Sequence, residues 1–126
     1  HAAAVWSGLL IVFMLVLSGL TVRLRRRHLV AFGDGNHPDL TAAARAFGNA
    51  AEYIPVGLIG LVLLAIIGSP AWVIHVLGAT LLIGRIIHAA GLMLQKGPSI
   101  GRVAGMILTY FTLLVMAVAL IAYGVF

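Results

Sequence analysis

Four polar side chains lie close together in an apolar stretch of the chain: Arg45, Asn49, Glu52 and Tyr53. Successive residues of a helix are about 100° apart, so these four fall within an arc of about 100° and form one polar stripe. Polar and charged side chains are costly inside a membrane and usually face a bundle interior or a water-filled cavity. The stripe is therefore a candidate binding site.

A second polar group occurs in the next apolar stretch, where Arg85 and His88 are one helical turn apart and share a face with Gln95. Glu52 is the only glutamate of the chain and the only carboxylate within an apolar segment. Because an unpaired buried charge is costly, we expect Glu52 to pair with Arg85 or with Arg45.

Basic groups outnumber acidic ones among these candidates, with Arg45, Arg85 and Arg102 against Glu52 alone. Such an excess favours an anionic ligand, although a structural ion-pair network between helices is the alternative. The chain has no cysteine, so any reactive thiol would have to arrive on a ligand.

The histidines outside these groups do not predict a metal site. His28 and His37 lie in a loop without the spacing of metal ligands. His75 lies alone on an apolar face, where a packed or interfacial histidine is expected.

Composition requires that these residues lie in a membrane. Of 126 residues, 63% are hydrophobic and 9% are charged, and mean hydropathy is +1.17. A soluble domain has about 25% charged residues, so lipid must replace water as the solvent here. A span needs about 20 apolar residues. We predict an all-α integral membrane bundle in one domain over residues 1–126, with helices at about 4–22, 40–67, 71–94 and 102–126.

The net charge of +5 is concentrated in two loops, one containing the run from Arg23 to His28 and the other containing Lys96. The turn at residues 68–70 carries no charge. The positive-inside rule then places loops 1 and 3 in the cytoplasm and both termini outside. We read the basic residues as partners of membrane lipid, and nucleic acid is not predicted as a partner. Asp39 or Thr41 is expected to cap the second helix.

The segment from Arg45 to Pro55 reads Arg-Ala-Phe-Gly-Asn-Ala-Ala-Glu-Tyr-Ile-Pro. It resembles the signature of the MAPEG family, the membrane-associated proteins in eicosanoid and glutathione metabolism. The run Gly-Arg-Ile-Ile-His from Gly84 to His88 is similar to the third-helix motif of that family. The loop at residues 33–36 looks most like the bacterial branch, which implies an inner-membrane location.

This resemblance implies a homotrimer with glutathione sites between neighbouring subunits. It implies that glutathione, as cosubstrate, is bound by Arg45, Asn49, Glu52, Tyr53, Arg85 and His88. Arg102 is the nearest match to an arginine that stabilises the thiolate in catalytic members. Leu92 departs from the pattern, because relatives often have a tyrosine there.

The leading functional hypothesis is a glutathione-dependent membrane transferase or peroxidase acting on lipophilic small-molecule electrophiles. The alternative is a non-catalytic protein of the same fold that binds a lipid or an anion. A small multidrug exporter would need a glutamate in the first helix, and this helix contains no acidic residue.

Overall fold

The protein is described by a computed structural model over residues 1–95 and 97–125. The helices are α1 (Ala2–His28), α2 (Pro38–Ile66), α3 (Ala71–Leu94) and α4 (Ile100–Val125). Each is long and apolar enough to cross a membrane. The shortest, α3, has 24 residues and is about 36 Å long, against a hydrocarbon core of about 30 Å. The predicted fold class, an all-α membrane four-helix bundle, is confirmed.

Helix α1 continues past its predicted end at residue 22 and stops at His28. Arginine is a good helix former, and basic side chains in the last turn interact favourably with the negative end of the helix dipole. Leu29 then adopts a left-handed conformation, with φ 55°. The basic run therefore belongs to α1, and the first loop is correspondingly short.

Helix α2 begins at Pro38, and His37 is its N-cap without a side-chain hydrogen bond to the helix. Neither Asp39 nor Thr41 is the N-cap, so the predicted cap was wrong. Proline favours the first helical position, since its fixed φ suits a helix and it has no N–H to satisfy. The Thr41 hydroxyl instead donates to Asp34 Oδ2 at 2.7 Å.

Helices α2 and α3 form the centre of the bundle. Helix α1 packs against both, α4 packs against both, and within the described residues α1 and α4 do not contact each other. The core consists mainly of fully buried aliphatic side chains, including Leu10, Leu17, Ile54, Leu61 and Leu81.

Two polar contacts connect α1 to its neighbours at opposite ends. Trp6 Nε1 donates to His75 Nδ1 at 3.0 Å, so the expectation that His75 lies alone on an apolar face was wrong. At the other end, His28 Nε2 is 2.9 Å from Asp39 Oδ2, and its ring stacks on His37 with centroids 3.8 Å apart.

Glycines allow α3 and α4 to approach closely. A Cβ placed on Gly105 would lie 2.5 Å from the backbone nitrogen of His88, and one on Gly91 would lie 2.5 Å from that of Arg102. Real Cβ atoms do not come this close to a backbone atom, so neither position has room for a side chain. This close approach brings the polar residues of α3 directly against α4.

Candidate functional site

Arg85 lies at the point where α2, α3 and α4 meet, and it is only 1% exposed. Its Nε donates to Thr109 Oγ1 at 2.9 Å, and its Nη2 donates to the Gly105 carbonyl at 3.3 Å. Its Nη1 donates to Asn49 Oδ1. The guanidinium group thus connects three helices through neutral oxygen atoms.

No carboxylate pairs with Arg85 among the described residues, where the one ion pair is between His28 and Asp39. The predicted pairing of Glu52 with Arg85 or Arg45 was wrong. Glu52 is exposed. The rotation of α2 explains the difference. The side of α2 that faces the core is formed by the small or apolar residues 46, 50 and 54. Glu52 lies on nearly the opposite side of the helix.

Tyr53 lies between Arg85 and a residue that the sequence did not indicate, Tyr110 of α4. The two tyrosine hydroxyls are 3.0 Å apart, and the rings meet edge to face with centroids 5.6 Å apart. The Arg85 guanidinium carbon lies 5.3 Å from the centre of the Tyr53 ring. The aromatic face therefore contributes to the stabilisation of this buried cation.

We call Asn49, Tyr53, Arg85 and Thr109 the inner cluster. Thr109 and Tyr110 were missed because they show no motif or spacing in the sequence. The available signal was a threonine and a tyrosine side by side in an otherwise apolar helix, where hydroxyls seek a polar partner.

A cavity of about 560 Å³ lies beside α2 and is lined by Arg45, Asn49 and Glu52, together with Arg25 and Asp34. Arg45 and Glu52 are exposed, and in residues 1–95 and 97–125 neither charge forms an ion pair within the chain. We call Arg45 and Glu52 the outer pair. Its two opposite charges face a space large enough for a small molecule.

Asp34 brings a negative charge to the same cavity. The Thr41 hydroxyl and the backbone N–H of Asn36 donate to its carboxylate and hold the pKa of Asp34 below its ordinary value of 3.8. The group is consequently ionised at neutral pH.

The remaining predicted residues, His88 and Arg102, line a different opening. This groove of about 480 Å³ lies along α4 and also includes Tyr110, while Val103 and Ile107 make much of its wall apolar. His88 is 6% exposed. Arg102 lines both this groove and a larger cleft of about 1010 Å³, which Arg45 also lines.

The structure therefore divides the seven predicted site residues into three sets. Asn49 and Tyr53 each contact Arg85. Arg45 and Glu52 line the cavity beside α2, and His88 and Arg102 line the α4 groove.

Comparison with known proteins establishes the family. The MAPEG family model matches residues 3–122. The chain belongs to the MAPEG family. This MAPEG protein is 34% identical over 121 residues to "Inner membrane protein YecN" of Escherichia coli K12, a match that covers 96% of this chain and 91% of that one. The same values hold for the YecN protein of Escherichia coli O6:H1 strain CFT073. No solved structure matches the chain.

Membership confirms the resemblance that the segments at residues 45–55 and 84–88 indicated. In this MAPEG protein the first segment has two different environments. Asn49 and Tyr53 are in contact with Arg85, whereas Arg45 and Glu52 are left facing solvent-accessible space.

Proposed function

We propose that this MAPEG protein is a glutathione-dependent membrane transferase or peroxidase acting on lipophilic electrophiles. One observation carries the proposal: Arg45 and Glu52 have opposite charges, face one cavity, and are not neutralised by an ion pair within the described residues. Glutathione is a peptide with two carboxylates and one ammonium group, so it complements both charges. The association of the family with glutathione supports the same ligand.

The side chains at the cavity suit the peptide part of glutathione. The Arg45 guanidinium can donate two parallel hydrogen bonds to a carboxylate, and Glu52 can accept from an ammonium group. The Asn49 oxygen accepts from Arg85, so its amide nitrogen is left to donate towards the ligand. The volume of about 560 Å³ lies within the usual range for small-molecule sites.

Glutathione would supply the thiol, since the chain has no cysteine. In the α4 groove the positive charge of Arg102 would raise the thiolate fraction. The apolar wall near Val103 and Ile107 would hold the lipophilic substrate next to that sulfur. In the transferase reaction the sulfur bonds to the electrophilic carbon, and the leaving group departs with the electron pair of the broken bond.

We also propose that the protein is a homotrimer in the inner membrane, with loops 1 and 3 in the cytoplasm. Within one chain the cavity of the outer pair and the α4 groove of Arg102 are separate openings. Arg45 and Arg102 meet only in the lining of the larger cleft. A site between subunits would place the α2 face of one chain opposite the α4 groove of the next. The YecN proteins of Escherichia coli are called inner membrane proteins, which supports the location.

Calorimetric titration of glutathione into detergent-purified protein tests the proposal. We expect saturable binding that weakens at least about tenfold in Arg45→Ala and in Glu52→Ala, since each loses a charge-assisted contact. Arg23→Ala is the matched control, because Arg23 is an exposed arginine outside the cavity, and it should bind like the original chain. Absence of binding at millimolar glutathione would refute the proposal.

The non-catalytic alternative is favoured by the larger cleft. Arg45 and Arg102 line it together with the apolar side chains of Leu92 and Met93, a combination that suits an anionic amphiphile. Turnover of glutathione with a chromogenic electrophile separates the two candidates. The enzyme should lose turnover in Arg102→Ala while it still binds glutathione, whereas a binding protein should show no turnover in any variant.

A further inference from the structure

The C-terminal end of α1 carries exposed arginines on one side of the helix. At 100° per residue, Arg23, Arg26 and Arg27 lie within an arc of about 100°, and all three are exposed. The buried side of α1, marked by Leu17 and Thr21, is about 150° away from the middle of this arc. These arginines therefore point away from the bundle.

The same side of α1 is apolar along the rest of its length. Val5, Val12, Val16 and Leu20 are exposed on it, on the turns before the arginines. In a membrane an exposed apolar side of a helix contacts lipid chains. The arginines follow where this apolar side ends, which is the level of the lipid head groups.

Two exposed hydrophobic side chains follow the arginines in the first loop. Leu29 is 92% exposed and Phe32 is 91% exposed, the highest values among the large hydrophobic residues of the described chain. Large hydrophobic side chains that lie this close together and are almost fully exposed to water are unfavourable, and they mark a contact with a membrane or a partner.

The loop is held in the conformation that exposes these side chains. Arg25, on the side of α1 that faces the bundle, donates to the Gly33 carbonyl at 2.7 Å. The backbone N–H of Val30 donates to the Arg25 carbonyl at 3.0 Å. Leu29 has φ 55°, a strained value for a residue with a branched side chain. Such strain persists only where the surrounding structure maintains it.

No carboxylate compensates the three arginines within the described residues. The chain has three acidic residues: Asp39 pairs with His28, Asp34 accepts from Thr41, and Glu52 faces the cavity beside α2. The counter-charge must therefore come from another molecule.

We infer that Arg23, Arg26, Arg27, Leu29 and Phe32 form a binding surface for anionic phospholipid, here called the interfacial patch. The arginines bind the phosphate groups of the lipids, and Leu29 and Phe32 insert among the acyl chains next to them. Positive charge next to exposed apolar side chains, with no internal carboxylate, matches an anionic head group and its acyl chain. A second copy of this chain would leave the charge of these arginines unmatched, because its three acidic residues do not form a cluster of free carboxylates.

Fluorescence quenching by brominated lipids tests the patch in reconstituted full-length protein. The substitution Phe32→Trp places a reporter in the patch, and the signal of the original chain, from Trp6 and Trp72, is subtracted. We expect brominated phosphatidylglycerol to quench the added tryptophan more than brominated phosphatidylcholine. Each arginine near an anionic surface should contribute about fivefold to this preference.

The triple variant R23Q/R26Q/R27Q should lose the preference, and its matched control R23K/R26K/R27K, which keeps the charge, should retain most of it. Spin-labelled forms of the two lipids give the same selectivity ratio for the chain with its own Phe32, so the test does not depend on the reporter. Equal association of the two lipids, quenching of the reporter by aqueous iodide instead of lipid, or a preference that survives R23Q/R26Q/R27Q would each overturn the inference.

Discussion

Asn49 and Tyr53 of the inner cluster share one stripe of α2 with the outer pair, and yet the two groups have opposite relations to the rest of the molecule. In the inner cluster Arg85 donates to Asn49 and Thr109, and its side chain is buried. In the outer pair, Arg45 and Glu52 are exposed and remain without an internal partner in the described residues. Residues about one helical turn apart therefore differ in role. Asn49 and Tyr53 help to hold the helices together, whereas Arg45 and Glu52 are available to a ligand.

A charged residue inside a membrane helix is therefore not by itself evidence of a binding site. Arg85 is the more deeply buried charge and matches a family motif, but its hydrogen bonds are used to connect α2, α3 and α4. Its contribution to a glutathione site would be indirect, since it fixes the orientation of Asn49 and Tyr53. Arg45, by contrast, forms no ion pair within residues 1–95 and 97–125.

Arg85→Ala should produce the largest loss of stability. It leaves Asn49 Oδ1, the Thr109 hydroxyl and the Gly105 carbonyl with fewer partners and opens a cavity, which we expect to cost about 3 kcal/mol. Thermal unfolding in detergent measures it. Arg45→Ala is the matched control and should change stability by less than about 0.5 kcal/mol. Equal losses in the two variants would contradict the division into an inner cluster and an outer pair.

Gly105→Ala should produce the next largest loss of stability, at about 2 kcal/mol, because the added methyl group forces α3 and α4 apart. The helix separation would also displace Arg85 from the Gly105 carbonyl. The same unfolding experiment applies. Gly8→Ala is its control, since a Cβ on Gly8 meets nothing within 4 Å, and it should leave stability unchanged or slightly higher.

Tyr110→Phe should have a smaller effect, about 1 kcal/mol, because it removes one hydrogen bond to Tyr53 and keeps the ring contact. Glutathione binding by the outer pair should be unaffected in this variant. A loss of glutathione affinity comparable to that of Arg45→Ala, measured by calorimetry, would show that the Tyr110 hydroxyl contacts the ligand directly.

Thr41→Val should have the smallest effect, and the effect should be present at neutral pH and disappear in acid. Since the pKa of Asp34 is lowered in the folded state, the carboxylate stabilises the fold above the unfolded-state pKa, and this stabilisation is lost as pH falls through the lowered folded-state value. Removal of the Thr41 hydroxyl should raise the folded-state pKa of Asp34 towards the unfolded-state value, so the variant is less stable at neutral pH and loses less stability in acid. The stability curves of the two proteins, measured between pH 2 and 6, should converge as the pH falls, and in an Asp34→Asn background the difference between them should no longer depend on pH.

The sequence was sufficient for the general architecture. Long apolar segments and the turn residues between them predicted four spanning helices, and the segment from Arg45 to Pro55 indicated the family. The end of α1 was predicted too early because charge was taken to end the helix, whereas the arginines continue it for one and a half turns into the interface.

The partners of the polar residues could not be predicted from the sequence in the same way. A polar arc of about 100° on α2 is compatible with several rotations of the helix, and only the burial of Ala46, Ala50 and Ile54 selects the one that turns Glu52 away from Arg85. The role of Thr109 depends on how closely α4 approaches α3, and that distance is a property of the packed bundle.

Among the described residues no carboxylate contacts Arg85, and this determines how the junction of α2, α3 and α4 responds to acid. An amide, a hydroxyl and a backbone carbonyl neither gain nor lose protons at physiological pH, so the junction of α2, α3 and α4 has no acidic member to neutralise. A proton gradient across the membrane would leave this junction intact.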